Sequence, residues 1–229
     1  MPKTRTSKIS ARFITFEGGE GVGKSTQVKR LQENLQRAGI SAVRTREPGG
    51  TPKAEAIRSF ILQGRSEDMG PRAEAVLFAA ARLDHVDQLI APNLASGNWV
   101  LSDRFSDSTR AYQGLTGGVD DGTIDALEEL ALHGHPPDLT ILLDMDPEIA
   151  FKRVEIRARE DGVPAVTDRF EKEDLNWHRR LREGFRKIAR DNTDRCVVID
   201  ASMDVDDMES AIWAAITTRF PEALGEVAE

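Results

Sequence analysis

Five short runs rich in apolar and β-branched residues punctuate the chain: "RFITFEG", "ISAVRT", "WVLSDRF", "DLTILLDMD" and "CVVIDA". Runs of this length bounded by turn residues read as strands. Between them the apolar positions recur at helical spacing. From Lys24 to Ala38, Val28, Leu31 and Leu35 fall on one face, and Gly39 supplies the stop. Ala54 to Leu62 reads as a second helix, and Pro71 opens a long helical stretch, "RAEAVLFAAARLDHVDQLIAPNL", whose alanines permit close packing. Pro147 starts a helix at its first position, and a terminal helix rich in Ala and Ile carries Trp213. "REPGGTP" reads as a turn-rich loop. Strands alternating with helices predict an α/β fold, a mostly parallel five-stranded sheet with helices on both faces. Ligands of such sheets sit beyond the carboxyl ends of the strands. Residues 17–25, 46–51, 103–113 and 144–147 are expected there.

Length and composition narrow the picture. The 229 residues suit one domain, taken as residues 12–229, behind a flexible, polar and basic tail over residues 1–11. That tail lacks the apolar centre of a secretory signal; a transit peptide is the alternative. A single cysteine, Cys196, excludes an internal disulfide and makes a reducing cytoplasm the expected setting. Cys196 itself reads as a small core residue. With 31% charged residues and a net charge of −8, broad nucleic-acid binding is not expected. No stretch approaches the ~20 apolar residues of a membrane span.

The candidate chemistry lies at the end of the first strand. Gly18, four further residues, then Gly23-Lys24-Ser25 match a phosphate-cradling loop between a strand and a helix. Its members are Gly18, Gly19, Glu20, Gly21, Val22, Gly23, Lys24, Ser25 and Thr26. The glycines let backbone N–H groups converge on phosphate, and the following helix adds its positive end. Lys24 is expected on the β and γ oxygens of a nucleotide, and the Ser25 hydroxyl on Mg²⁺, with Asp103 supporting the metal or its water. Asp103 could instead be a strand-end cap. Arg46 and Arg104, at two other strand ends, suggest a second anionic group facing the cradle, because a guanidinium bonds two phosphate oxygens in one plane.

"FITFEGGEGVGKSTQ", "TREPGGT", "LFAAARLDH", "SDRFSDSTRAYQG" and "LLDMDPEIAFKR" stand in the order and spacing of bacterial thymidylate kinases, which the sequence resembles over roughly residues 12–200. The resemblance implies a P-loop NTPase fold with a short lid, a cytoplasmic homodimer, and transfer of the γ-phosphoryl group of ATP, with Mg²⁺, to dTMP. It further implies that Arg46, Arg58 and Arg104 hold the dTMP phosphate, Phe78 stacks on thymine, and Arg82 bonds the base edge. Thr109 and Gln113 complete base recognition. Tyr112 crowds the sugar 2′ position, Glu20 lies near the 3′-hydroxyl and metal, and Glu47 assists the phosphate and metal region. From the residues alone, Phe78 could equally be core, and Tyr112 a packing residue.

"FKRVEIRAREDGVPAVTDRFEKED" is dense in charge. It reads either as a solvated helix or as a lid, about residues 153–170, with a mobile tip at 161–168. Because the resemblance implies a catalytic arginine either within the cradle or on the lid, and Gly21 has no side chain, Arg153 and Arg157 join Lys24 and Arg104 as catalytic candidates. Arg159 and Arg169 follow behind them. His133 and His135 lack further ligands for a metal site; His85 and His178 are unassigned. Two rival functions remain: a kinase for another nucleoside or monophosphate, and a nucleotide-dependent switch, for which no guanine-reading N-K-x-D motif is present.

Overall fold

A computed structural model describes residues 10–161 and 169–224. Residues 1–9 of the expected tail and 162–168 of the expected lid tip lie outside the described residues, as does the side chain of Arg157.

The five expected strands form one sheet: β1 (Phe13–Glu17), β2 (Ala42–Arg46), β3 (Trp99–Asp103), β4 (Leu139–Asp144) and β5 (Cys196–Asp200). Their order is β2-β3-β1-β4-β5 and every pairing is parallel, with Phe16 and Arg46 both aligned to Asp103. The carboxyl edge therefore gathers Glu17, Arg46, Asp103, Asp144 and Asp200 in one row. Helix α1 (Lys24–Arg37) follows β1 and ends as expected: Gly39 adopts φ +75°, and Ile40 N–H bonds back to Leu35 O. Helix α2 (Pro52–Leu62) follows β2. Helix α3 (Gly70–His85) runs through a widened turn (Val86–Ile90) into α4 (Ala91–Ala95). After β3 come α5 (Ser106–Thr109), a second widened turn (Arg110–Thr116) and α6 (Asp121–Leu132). Helix α7 (Pro147–Asp161) starts at its expected proline, α8 (Leu175–Asp191) precedes β5, and α9 (Val205–Arg219) and α10 (Pro221–Leu224) close the chain.

Both faces of the central strands are covered, which is why β1, β3 and β4 are buried nearly throughout, while the edge strands β2 and β5 stay partly exposed. One face packs Ile14, Phe16, Leu101, Ile141 and Leu143 against Val28, Leu31 and Leu35 of α1 and Ile212 and Ile216 of α9. The opposite face carries Phe13 and Val100 beneath Val86 and Ile90, and Leu142 beneath Leu181, Phe185 and Ile188 of α8. That second face also holds a polar ladder. Thr15 and Thr140 share a hydrogen bond of 2.8 Å, and Arg195 makes a bidentate pair with the buried Asp107 at 2.7 and 2.9 Å. Removing one member of a buried pair of this kind costs about 3–5 kcal/mol, because the other is left charged and alone.

Helices α6 and α8 were not among the elements expected from the pattern. Both begin with aspartate caps, Asp120 accepting from Thr123 N–H and Asp174 from Trp177 N–H. In α8 the apolar positions Leu181, Phe185 and Ile188 keep strict helical spacing beneath a dense charge pattern, and that spacing was the available signal. Cys196 is buried at the start of β5, and burial pushes its thiol up to about 11.

Candidate functional site

The cradle is built by three glycines with positive φ: Gly18 (+133°), Gly21 (+72°) and Gly23 (+97°). At Gly18 a Cβ would stand 2.4 Å from Leu143 O, and at Gly21 2.8 Å from Ala150 O, so β4 and α7 both press on the loop. Val22 anchors it from beneath in the core. No side chain caps the N-terminus of α1, which leaves its first N–H groups to an incoming anion. Lys24 folds back over the loop, donating to Gly19 O at 2.6 Å and Gly18 O at 3.2 Å. Burial, and then the charge of Arg104, push its ammonium down to about 8. The Ser25 hydroxyl donates to Asp103 Oδ2. A hydroxyl and a carboxylate meeting beside a phosphate cradle are hard oxygen donors that fit Mg²⁺, which takes its remaining ligands from phosphates and water. Among the described residues no cluster of three or more His, Cys, Asp or Glu forms a metal cage.

Arg104 holds the left-handed conformation, φ +70°, unusual for a side-chain-bearing residue. Its backbone is pinned on all sides. The N–H donates to Phe16 O at 2.9 Å, its own carbonyl accepts from the Ser102 hydroxyl at 2.7 Å, and the next N–H, of Phe105, donates to Glu17 Oε1 at 2.8 Å. Thus pinned, the guanidinium reaches back across the cradle to Gly18 O at 2.9 Å and Glu20 Oε1 at 3.0 Å, and stacks over the Tyr112 ring. The Tyr112 hydroxyl donates to the same Glu20 oxygen. Burial opposes the Glu20 charge, but Arg104, Lys24 and Tyr112 outweigh it and hold the carboxyl below its ordinary range. Glu17 shows the reverse: burial, and then Asp107, push it up to about 8 although Ser108 and Phe105 donate to it.

Beside the cradle opens a cavity of about 320 Å³, within the range of small-molecule sites. Its wall includes Glu20, Lys24, Ser25, Asp103 and Arg104 on the cradle side, and Arg46, Glu47, Arg58, Phe78, Arg82, Thr109, Tyr112 and Gln113 beyond. Every residue singled out from the sequence for the acceptor thus borders one space. The segment carrying Thr109, Tyr112 and Gln113 is helical, which brings all three to that wall. Arg46 donates to both Glu55 oxygens at 3.0 and 3.2 Å, and Arg58 to Pro48 O at 2.9 Å; the Glu47–Pro48 peptide between them is cis. Phe78 is half-buried, its ring 6.5 Å from that of Phe170. Arg82 is 3% exposed and bonds Glu47, Phe105 O and Thr109. Gln113 lies 3.5 Å from buried Glu74.

Sequence reasoning did not single out Phe105, Ser108 and Phe170, which also line this cavity, or Glu17, which supports it. Ser108 and Phe105 lie within a quoted motif, so that signal was present; Phe170, on the short turn Phe170–Lys172, lies in the charge-dense stretch read as a lid, where the arginines rather than its ring were singled out.

The lid candidates are distributed differently. Arg153 donates to the carbonyls of Ala201 (2.8 Å), Ser202 (2.9 Å) and Met203 (3.3 Å), on the loop after β5. Arg159 pairs with Glu155 at 3.7 Å along α7, and Arg169 pairs with Glu74. His133 caps the end of α6 in the left-handed conformation with Asp87 3.3 Å away. His85 and His178 are buried, against Glu47 and near Glu20 respectively.

Comparisons with known proteins agree on one family. The family model described as "Thymidylate kinase" matches residues 16–212. The chain is 51% identical to a thymidylate kinase of Bradyrhizobium diazoefficiens, over 91% of this chain and 90% of that protein. It is 52% identical to one of Rhodopseudomonas palustris, over 91% and 90%. The crystal structure of thymidylate kinase from Ehrlichia chaffeensis superimposes with a TM-score of 0.71 at 32% identity, covering 91% of this chain and 99% of that one.

Proposed function

The chain belongs to the thymidylate kinase family, and on that premise we propose that it transfers the γ-phosphoryl group of ATP to dTMP, giving dTDP. The observation that carries the reading is a single cavity with two cationic ends. Lys24, Ser25 and the α1 N-terminus form one, with Arg104 bonded to it at Gly18; Arg46 and Arg58 belong to the other, with Phe78, Arg82, Thr109 and Gln113 on the same wall.

In this reading the cradle amides and Lys24 bind the ATP phosphates; Ser25 and Asp103 would hold Mg²⁺, which would supply neutralising charge to the phosphates. Arg46, Arg58 and Arg104 bind the acceptor phosphate. Arg104, bonded to the cradle at Gly18, spans both ends and aligns donor with acceptor. Phe78 stacks on thymine while Arg82, Thr109 and Gln113 read its edge. Tyr112 limits the space at the sugar 2′ position. Glu20 faces the 3′-hydroxyl and the metal, and Glu47 serves the phosphate and metal region by way of the loop it begins. The acceptor oxygen is already ionised at neutral pH, so the residues supply position and positive charge rather than a general base. Arg153 and Arg157, at the root of the lid, add charge to the transferring group on closure.

A cytoplasmic setting is part of this reading, supported by the single cysteine, which leaves no internal disulfide; among the described residues no helix is long and apolar enough to cross a membrane. We place two copies in a dimer through the α3–α6 side, where Val76 and Leu130 leave apolar surface exposed on two helices that pack together.

An ADP-release assay over a panel of monophosphates tests the reading. Turnover of dTMP well above that of dCMP, AMP and GMP is expected; equal turnover of any of these would sink the substrate assignment.

A further inference from the structure

Arg82 does not stand alone in the acceptor cavity. Its Nε donates to Glu47 Oε2 at 2.7 Å, and its Nη2 to Thr109 Oγ1 and Phe105 O at 3.0 and 3.1 Å. These bonds leave Nη1 unused. The other Glu47 oxygen, Oε1, lies 3.0 Å from His85 Nδ1, and His85 Nε2 lies 2.6 Å from Thr45 Oγ1. His85 is wholly buried, and Glu47 is 5% exposed. A carboxylate only accepts, so Nδ1 carries the proton towards Glu47, and Nε2 shares a hydrogen bond with the Thr45 hydroxyl. The result is a continuous chain, Thr45–His85–Glu47–Arg82–Thr109, buried from His85 to Thr109 and running from β2 through α3 to α5.

The backbone is shaped around this chain. A Cβ on Gly50 would fall 2.5 Å from His85 Nε2 and 2.6 Å from Thr45 Oγ1, so the second glycine of "PGG" keeps the ring's place open. Arg82 and His85 are three apart on α3 and share a helical face, so one carboxylate can grip both. Without the ring, Glu47 Oε1 loses a buried donor, and the carboxylate is free to turn away from Nε.

We propose that His85 is a positioning residue for base recognition, fixing through Glu47 the direction in which the Arg82 guanidinium meets the acceptor's base. It rests on the acceptor reading given above. An arginine so held offers only donors, which suits a base with a carbonyl at its edge and disfavours one with an amino group there. His85 thereby contributes to the choice between thymine and cytosine without touching either.

Steady-state kinetics on the full chain test this. His85→Ala is expected to raise KM for dTMP about tenfold, the scale of one hydrogen bond to a charged group, and to narrow the preference for dTMP over dCMP. KM for ATP should hold. His85→Asn, whose amide nitrogen stands near the Nδ1 position, should restore most of the dTMP affinity, whereas His85→Gln, which reaches towards Thr45, should not. Equal behaviour of the Asn and Gln variants, or parallel rises in both KM values, would assign His85 to packing alone and overturn the inference. The Asn–Gln comparison decides even if the Ala variant fails to fold. Absence of dTMP turnover by the wild-type chain would overturn the kinase reading and this inference with it.

Discussion

Glu17, at the end of β1, and Arg104, just past the end of β3, meet through a backbone group: the N–H that follows Arg104 donates to Glu17 Oε1 at 2.8 Å. Glu17 thereby holds Arg104 at φ +70°, the conformation that throws its guanidinium across the phosphate cradle to Gly18 and Glu20. A left-handed non-glycine residue costs roughly 1–2 kcal/mol, and such costs persist where surrounding bonds enforce them.

Strain and function separate at this residue. Arg104→Gly removes both the guanidinium and the backbone cost, whereas Arg104→Ala removes only the guanidinium. Denaturant unfolding should find the Gly variant more stable than the Ala variant by about 1 kcal/mol. Turnover should fall about 100-fold or more in both, the scale of a lost phosphoryl-transfer cation.

Glu17 gives a stability signature. Its folded value, about 8, lies above the ordinary 4.5, so the native state holds its proton more tightly than the unfolded chain. The contribution is fully present below 4.5 and is lost as pH rises to about 8. Relative to Glu17→Gln, which cannot titrate, the wild-type protein should lose thermal stability across that window. Parallel Tm-against-pH curves for the two proteins would refute this.

Lys24 titrates near 8 in the ligand-free protein, and a bound polyphosphate will hold its proton on. At pH 8, where the ammonium is half neutral, ATP binding should take up about half a proton. Calorimetry in buffers of different ionisation enthalpy measures the uptake, and Lys24→Met should remove it. The same result in both proteins would place the proton elsewhere.

The lid arginines make separate predictions. Arg157→Ala and Arg153→Ala should lower kcat about tenfold or more while changing KM for ATP little, if closure carries them to the transferring group. Arg153 must first leave the Ala201, Ser202 and Met203 carbonyls. A raised KM for ATP with unchanged kcat in Arg153→Ala would instead confine that residue to the loop it now holds.

What the sequence alone determined is what near neighbours in the chain decide. The glycine spacing and Lys24-Ser25 define the cradle because its geometry is set by backbone freedom within a few residues. The order of the strands along the chain and the buried face of α1 follow from apolar periodicity. Helix α8 escaped because eight charged side chains, among them Arg179, Arg182 and Arg186, mask the apolar spacing beneath them. What only the tertiary structure decided is which charge meets which. Glu47 is 35 residues from Arg82 and 38 from His85, Arg153 is 48 from Ala201, and Asp107 is 88 from Arg195. No periodicity reports such partners, because they come together only when sheet order and helix packing have brought distant segments within a few ångströms. A buried carboxylate must then take whichever donors that packing supplies, since leaving it unpaired away from water costs more than the fold can absorb.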